Sequence, residues 1–446
     1  MGNIGRTISY LKRNGVKPTF YAVWERLDQK RKYKYSYEPP SEEELEKQRN
    51  KKFKNDIKFS VVVPAYETLD VYMQDAILSV MEQTYQNVEL VIADASESDV
   101  VEKVVKDFSE QYKNIVYIRL EKNGGISENT NAGIEIASGD YIGLLDHDDV
   151  LTPDALYHVA REIERCAPAK PYLIYSDEDK TDTGMERYYE PNIKCDLDEE
   201  MLHTNNYICH FSVFRADIIK ELGLRAEFDG AQDFDLVLRT VKRAKEDDAF
   251  IETIKGQNAL IRHIPHVLYH WRCHEASTAD NPESKMYAYE AGRRAVEDAT
   301  GLTVSHTKHV GFYHVDYGND IFEIRKDIAA LGGPVIRNNK VVGGLMRADG
   351  TVVFGGLHSE FAGVLNSATL QRCADVLDIR NIQVRKEYRD LFKKATGIEY
   401  EKRGEVTLDD EKAVKLSMEF CNRLRRQGVI LLYDPAFGRK KYAGTD

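Results

Sequence analysis

The chain has 446 residues, of which 42% are hydrophobic and 30% are charged, and this balance predicts a folded globular protein with one large core or two ordinary ones. Its formal net charge is −12, but residues 1–58 hold fifteen Lys and Arg against eight Asp and Glu, so residues 59–446 carry −19. This acidic body argues against nucleic acid as a partner, because phosphate binding needs an extended basic surface.

The cysteines and the apolar runs indicate where the chain works. Its six cysteines are scattered, with no pair at close metal-ligand spacing, and this pattern suits a reducing cytosol. No run approaches the roughly eighteen apolar residues of a membrane span, and the first twenty residues lack the apolar stretch of a signal peptide. We therefore expect a cytoplasmic protein.

Residues 1–58 predict a basic helical leader and linker, with helices around Ile8 and Val23. Two interpretations stay open for this segment. It is either a solvated extension packed on the body or a surface that touches an anionic membrane from the cytoplasmic side.

From Phe59 onwards, short apolar runs alternate with amphipathic helices. The runs FSVVVPAY, VELVIAD, NIVYIRL and YIGLLD predict strands, and helices are expected through Ala76, near Val104 and through Ala132. Such alternation predicts an α/β fold with a mostly parallel central sheet and helices on both faces. Ligands of such sheets bind outside the carboxyl ends of the strands.

A smaller α+β module is predicted after about Asp320. GGPVIRNNKVVGG and MRADGTVVFGG predict hairpins with Asn-Asn and Asp-Gly turns, followed by helices around Tyr388 and over 411–427 and a closing strand, VILLYDPAF. The predicted domains are therefore 1–58, 59–318 and 319–446. Acceptor recognition, self-association and stabilisation of the body all stay open as roles for the last one.

The acidic run Asp146, His147, Asp148, Asp149 directly follows the predicted strand YIGL. Carboxylates crowded this closely raise one another's pKa unless a cation neutralises them, so a divalent metal is one explanation. Oxygen ligands suit Mg²⁺ or Mn²⁺. The other explanation is a solvated loop, with Asp149 or Thr152 capping the next helix.

Three later motifs also bear polar side chains with two interpretations each. In GAQDFDLVLR, Asp233 and Asp235 open a helix, where they either cap it or do chemistry. The run Asp177 to Asp179 is either a surface turn or part of a binding site. In HVLYHWRCHEAST the histidines are either hydrogen-bonded structural residues or metal ligands.

Taken in order, seven fragments of the chain resemble the family 2 inverting glycosyltransferases, above all the bacterial branch that builds rhamnan and O-antigen type polysaccharides. The fragments are FSVVVPAYE, VIADAS, NGGISENTNAG, SGDYIGLLDHDD, YSDEDK, GAQDFDLVLR and HIPHVLYHWRCHEAST. The resemblance covers about Phe59 to Gly301. It implies the nucleotide-diphosphosugar transferase fold, called GT-A.

The resemblance also implies a donor site with a divalent metal, Mn²⁺ or Mg²⁺. The residues implied to contact the nucleotide are Pro64, Tyr66, Glu67, Asp94, Asn131 and Asp146. Asp148 would ligate the metal that bridges the diphosphate. Either His270 or His274 would be a further ligand, with a slight preference for His270 because it directly ends the run HVLYH.

The remaining implied roles concern transfer itself. Asp233 would act as the general base that removes the proton of the acceptor hydroxyl, and Asp235 would hold either Arg239 or an acceptor hydroxyl. Donor or acceptor contacts are also implied for Asp177, Glu178, Trp271 and Arg272. The donor would be dTDP-rhamnose or a UDP-hexose, and the acceptor a glycan or a polyprenyl-linked glycan.

Two positions depart from the family pattern. The usual Asp-Asp-Gly-Ser turn is one residue short at Asp94, Ala95 and Ser96. Thr130 stands where many relatives carry Arg, which leaves less positive charge near the diphosphate.

Two other functions compete with this one. A dinucleotide-binding oxidoreductase needs a Gly-rich turn after the first strand, and PAYETLD contains no glycine. A catalytically inactive family member that acts in assembly or regulation keeps the fold but not turnover. The presence of Asp146, Asp148, Asp233 and His270 argues against the inactive alternative.

Overall fold

The computed structural model describes residues 3–32, 34–254, 256–274, 286–318, 320–400, 408–438 and 440–442. The chain folds into two compact units. One, the sheet unit, comprises Tyr35–Leu197 and Asn206–Gly301. The other, the accessory unit, comprises Met1–Lys34, Asp198–Asn205 and Leu302–Asp446.

These bounds differ from the predicted ones because most of the linker packs on the sheet unit. Tyr35 donates a hydrogen bond of 2.7 Å to Asp179, and the ring of Phe53 lies 5.3 Å from that of Tyr85. The first 34 residues instead belong to the accessory unit.

The described strands are, in chain order, β1 Phe59–Ala65, β2 Val88–Asp94, β3 Ile115–Arg119, β4 Tyr141–Leu144, β5 Val150–Leu151, β6 Leu173–Thr181, β7 Tyr188–Asn192, β8 Ser212–Arg215, β9 Thr253–Ile254, β10 Gln257–Asn258, β11 Ile261–Arg272, β12 Thr303–His306, β13 Tyr313–Asp316, β14 Ile328–Gly332, β15 Val335–Arg337, β16 Lys340–Gly343, β17 Leu345–Met346, β18 Arg372–Cys373, β19 Val376–Leu377, β20 Ile382–Val384, β21 Ile430–Tyr433 and β22 Lys440–Tyr442. The described α-helices are α1 Asn3–Asn14, α2 Val16–Lys32, α3 Glu42–Arg49, α4 Asp70–Met81, α5 Val100–Gln111, α6 Ile126–Ile136, α7 Ala155–Cys166, α8 Glu199–Leu202, α9 Ala216–Leu222, α10 Gln232–Ala244, α11 Met286–Thr300, α12 Ile321–Ile324, α13 Arg389–Thr396 and α14 Asp410–Arg425.

A nine-stranded sheet organises the sheet unit, in the order β3-β2-β1-β4-β8-β6-β11-β5, with β7 paired to β6. β1 pairs in parallel with β2 and β4, β2 with β3, and β6 with β11. β8 runs antiparallel between β4 and β6, so it joins two parallel groups and leaves β1, β2, β3, β4, β6 and β11 in one direction. The mostly parallel sheet was predicted correctly.

Burial explains why the first strands read as continuous apolar runs. Every residue of β1 and β2 is buried, as expected for parallel strands that are covered on both faces. Helix α4 packs Met73, Ile77 and Val80 into the same core, at the spacing of one helical face. The carboxyl ends of β1, β2 and β4 consequently meet at one edge of the sheet.

The accessory unit contains a four-stranded sheet, β18-β21-β14-β20, and a three-stranded sheet, β16-β15-β22. The predicted hairpin of β15 and β16 is present, and its turn residues Asn338 and Asn339 have φ of 50° and 59°. Phe392 of α13 meets Phe420 of α14 edge to face at 5.0 Å in the core of this unit. Among the residues that the structure describes, no helix is both long enough and apolar enough to span a bilayer.

Candidate active site

The three aspartates of the acidic run differ sharply in exposure. They lie on the loop that leaves β4, at the carboxyl edge of the sheet. Asp146 is exposed, Asp148 is half-buried and Asp149 is buried. Only the first two are therefore open to a ligand.

Asp149 fastens the acidic loop to β11. Its Oδ2 accepts a hydrogen bond of 2.5 Å from the Tyr269 hydroxyl, and its Oδ1 accepts one of 2.7 Å from the backbone N–H of Arg272. Burial, followed by the charges of Asp148 and Asp146, raises the pKa of Asp149 well above its ordinary value. The helix-cap interpretation of Asp149 was wrong, because its carboxylate contacts β11 and not the start of α7.

Asp148 and His274 are the two predicted metal ligands that the structure brings together. Nε2 of His274 lies 2.8 Å from Oδ2 of Asp148, and the two side chains are 22% and 21% exposed. Both side chains are thus partly exposed to solvent. A carboxylate oxygen and an imidazole nitrogen are a donor set that Mn²⁺ accepts, and the exposed carboxylate of Asp146 is two residues away.

His270, the other predicted ligand, lies in different surroundings. Its Nδ1 is 2.5 Å from Oδ1 of Asp179, and its ring lies 4.5 Å from the rings of both Tyr37 and Tyr188. The side chain is only 4% exposed. The structure therefore brings His274, and not His270, to Asp148.

Arg272 acts on the backbone of the acidic loop. Its Nε donates a hydrogen bond of 2.7 Å to the carbonyl oxygen of Asp148, and its Nη2 lies 2.8 Å from Asp75 on α4. The guanidinium also lies 4.5 Å from the ring centroid of Tyr72. Because Arg272 is 2% exposed, it holds the loop in place and presents no open charge to a diphosphate.

His210 was missed by the sequence reasoning, although it lies at the centre of the site. Its Nε2 is 3.7 Å from Asp146, its Nδ1 is 3.3 Å from Glu178, and its ring stacks on that of Tyr269 at 4.8 Å. Trp271 lies on the same side, with its ring 5.9 Å from that of His210. A lone histidine in YICHFSVFR carries no motif that would have singled it out.

The acidic run Asp177 to Asp179 is the interior of β6, so the surface-turn interpretation was wrong. Its side chains alternate between the two faces of the sheet. Asp177 and Asp179 contact His263 and His270, whereas Glu178 contacts His210. Only Glu178 therefore faces the acidic loop.

Glu178 belongs to a buried charge cluster. Burial alone would raise its pKa, but Lys194, 3.6 Å away, and the hydrogen bond from His210 lower it to about 2. Lys194 also donates 2.9 Å to the carbonyl oxygen of Ile208. The segment 208–210 is thereby held against β6.

Asp233 lies in the first turn of α10, half-buried, and its Oδ2 accepts a hydrogen bond of 2.8 Å from Asn206. One ligand atom each of Asp233, Cys209 and His210 lies within 4.8 Å of the others. Asp233 thus reaches the same cluster as Asp146 through His210. Burial, followed by the charge of Asp233, raises the pKa of Cys209 well above its ordinary value.

Asp235, by contrast, is a structural residue. It is 1% exposed, its carboxylate accepts hydrogen bonds of 2.9 and 2.7 Å from Arg239, and Arg225 also contacts it. Of its two predicted roles, the contact with Arg239 is the one that the structure shows.

The predicted base-site residues lie on the loops after β1 and β2. Tyr66 is 45% exposed and Pro64 is buried within β1. Glu67 accepts hydrogen bonds of 2.6 and 3.0 Å from the backbone N–H groups of Glu97 and Ser98. This carboxylate therefore joins the two loops, and both Tyr66 and Glu67 are exposed.

The side chains of Asp94 and Asn131 form hydrogen bonds to other groups of the protein. Asp94 is fully buried and accepts hydrogen bonds from Tyr117 (2.8 Å) and Arg119 (3.1 Å). Asn131 bonds both the N–H and the carbonyl oxygen of Leu224, at 2.9 and 2.8 Å. Both residues support the walls of the site.

A family model described as glycosyl transferase family 2 matches residues 60–223, from β1 to the end of α9. The chain is 40% identical over 246 residues to the uncharacterized protein y4gI of Sinorhizobium fredii, over 55% of this chain and 25% of that protein. It is 30% identical over 241 residues to the O-antigen biosynthesis protein RfbC of Myxococcus xanthus, over 54% and 18% of the two chains.

The chain thus spans a quarter or less of the length of these relatives. Among solved structures, S. aureus TarS 1-349 in complex with UDP is 17% identical, with a TM-score of 0.40, over 55% of this chain and 65% of that one. The family model and the curated relatives agree with the GT-A fold expected from the seven fragments. Residues 60–223 of this chain are a glycosyl transferase family 2 domain.

Proposed function

We propose that the chain transfers a sugar from a nucleotide-diphosphosugar to a hydroxyl group of a glycan, with inversion at the anomeric carbon and with Mn²⁺ or Mg²⁺ bound. One observation carries the proposal most strongly. The Asp148 and His274 pair and the exposed Asp146 share one edge of the sheet, and Asp233 reaches this group through His210.

The residues divide between the donor and the acceptor. Asp148 and His274 would hold the metal, which when bound supplies charge that stabilises the departing diphosphate. Asp146, Tyr66 and Glu67 are the exposed residues of the predicted nucleotide site, and Glu67 also links its loops, which Asp94 and Asn131 support.

Asp233 is our candidate for the general base. As the acceptor oxygen bonds the anomeric carbon from the face opposite the diphosphate, its proton passes to the carboxylate of Asp233. The bond from the anomeric carbon to the diphosphate oxygen breaks, and its electron pair leaves with the nucleoside diphosphate. No covalent sugar intermediate forms, so the configuration inverts.

The donor in this proposal is dTDP-rhamnose or a UDP-hexose, and the acceptor is a growing glycan, free or on a polyprenyl carrier. The Myxococcus relative is named for O-antigen biosynthesis, which supports a cell-surface polysaccharide as the product. The reaction would take place on the cytoplasmic side, at or near the membrane. Self-association stays a prediction.

The test is a panel of UDP, dTDP and GDP sugars with Mn²⁺, in which release of the nucleoside diphosphate is measured. We expect slow hydrolysis of one donor without acceptor, lost on chelation of the metal and in Asp233→Asn. An inactive family member would bind a nucleotide and release no diphosphate. That result would replace the transferase proposal by a role in assembly or regulation.

A further inference from the structure

Helix α2 exposes a continuous apolar stripe that the transfer reaction does not use. Five large side chains are at least 40% exposed, at positions i, i+4, i+7, i+8 and i+11, which form one face of a helix. They are Val16 (77%), Phe20 (62%), Val23 (40%), Trp24 (46%) and Leu27 (56%). A stripe of this size on an exposed helix face is a mark of an interaction surface.

The opposite face of α2 is fixed to its own unit, which sets the direction of the stripe. Glu25 is 8% exposed, and its carboxylate accepts hydrogen bonds from the backbone N–H groups of Ala362 (2.8 Å) and Gly363 (2.7 Å). The ring of Tyr21 stacks on that of His358 at 5.0 Å. These contacts hold the helix so that Val16, Phe20 and Leu27 point away from the accessory unit.

Basic side chains border the stripe on both sides. At about 100° per residue, Lys17 falls on one flank of the stripe, Arg26 and Lys30 fall on the other, and Arg31 continues the line of the stripe one turn beyond Leu27; all four basic residues are exposed. The two acidic residues of α2 lie off the stripe. Glu25 is on the buried face, and Asp28 follows the flank of Lys17, away from the apolar side chains.

This arrangement favours one kind of partner. A narrow apolar stripe with Phe and Trp, bordered by Lys and Arg, suits a helix that lies in the headgroup region of an anionic bilayer. A second copy that docked the same face would bring the two sets of basic residues together, which like-charge repulsion opposes. We propose that α2 docks the chain on an anionic membrane surface, with the apolar stripe inserted among the headgroups.

The inference goes beyond the transfer reaction and does not depend on it, because no residue of the stripe lies in the sheet unit. The predicted membrane contact of the basic segment 1–58 is thereby assigned to one face of α2. The membrane test uses no donor sugar, so its failure leaves the catalytic proposal standing.

The test is flotation of the full chain with vesicles of phosphatidylcholine alone, or of equal parts phosphatidylcholine and phosphatidylglycerol. We expect binding to the anionic vesicles, at least about tenfold weaker in high salt because the flanking charges are screened. A Phe20→Glu, Leu27→Glu variant should lose at least about tenfold in vesicle affinity. Ile324→Glu, which changes an apolar side chain that is 48% exposed in the same unit, should bind like the wild type.

A second measurement places the helix itself in the bilayer. In a Trp271→Phe background Trp24 is the only tryptophan, and its fluorescence should shift to shorter wavelength with anionic vesicles and be quenched by brominated lipid. Absence of vesicle binding, or equal loss in Ile324→Glu and in the α2 variant, would overturn the proposal. The proposal would also be overturned if the wild type and Ile324→Glu were dimers and the α2 variant a monomer, because the stripe would then be a contact between copies.

Discussion

Nδ1 of His210 lies 3.3 Å from Oε2 of Glu178, and the backbone N–H of His210 donates to the same oxygen. Burial alone would lower the pKa of His210, but the hydrogen bond and charge of Glu178, followed by the charges of Asp146 and Asp149, raise it to about 9. An imidazolium therefore lies in the middle of an acidic site at neutral pH. It supplies positive charge in a site where Arg272 is buried.

The charge of His210 predicts a pH-dependent contribution to stability. Because the pKa of His210 is higher in the folded state, protonation of His210 stabilises the fold, and it does so fully below the unfolded pKa of about 6.5. This contribution to stability is lost as the pH rises through about 9. We expect His210→Gln to lower the free energy of unfolding by about 2 kcal/mol near neutral pH and by much less in alkali.

Urea unfolding of both proteins over this pH range checks the prediction. His306→Gln is the control, because it removes an exposed histidine of the accessory unit. A stability difference that stayed constant across the pH range would show that His210 is neutral in the folded protein.

The contact between Asp148 and His274 predicts that His274, and not His270, contributes to metal-dependent nucleotide binding. Asp148→Ala and His274→Ala each remove a donor of the 2.8 Å pair, so we expect at least about a tenfold loss in Mn²⁺-dependent nucleotide affinity by calorimetry. His270→Gln should keep that affinity and lower the melting temperature instead, because it breaks the buried contact with Asp179. The reverse pattern would restore His270 as the ligand.

The base assignment predicts a loss of turnover without a loss of binding. Asp233→Asn keeps the shape of the side chain and removes the proton acceptor, so kcat should fall by about 10²- to 10⁴-fold while nucleotide affinity stays within about twofold. Asn206→Ala, which removes the 2.8 Å hydrogen bond to Asp233, should have a smaller effect on kcat. Near-normal turnover in Asp233→Asn would exclude Asp233 as the base.

For Asp235, the neighbouring carboxylate, we expect a loss of stability in place of a loss of turnover. Asp235 is buried between Arg225 and Arg239, so Asp235→Asn removes the counter-charge of Arg239 and leaves Arg225 paired with Asp298 alone. We expect a loss of about 3 to 5 kcal/mol in the free energy of unfolding, measured by urea denaturation. The folded fraction should still bind nucleotide, and a selective loss of binding at unchanged stability would point to a direct role for Asp235.

The sheet and its functional edge were predictable because their signals are local. All seven residues of β1 are buried on a two-sided parallel sheet, so the strand reads as the apolar run FSVVVPA. The acidic loop follows directly after β4, so its place at the carboxyl edge was set by strand order. The Asn-Asn hairpin of the accessory unit was equally predictable, because its turn needs positive φ at both residues and Asn tolerates positive φ.

The roles of individual side chains depend on contacts between distant segments, and these have no local signal. Asp233 and Asp235 share one short motif, yet two steps of the helix, about 200°, direct one to Asn206 and the other to two arginines. Glu178 and His210 are 32 positions apart and become an ion pair only because β8, which begins two residues after His210, pairs with β6.

By itself, then, the sequence determined the fold class, the family 2 resemblance and the edge of the sheet where the acidic residues gather, because these follow from periodicity and from the order of motifs. Only the tertiary structure decided that His274 meets Asp148 while His270 meets Asp179. Neighbouring positions of a strand face opposite sides of a sheet, and β11 ends at Arg272. His274 lies two residues beyond the end of the strand, so the alternation does not fix the direction of its side chain, which reaches the acidic loop.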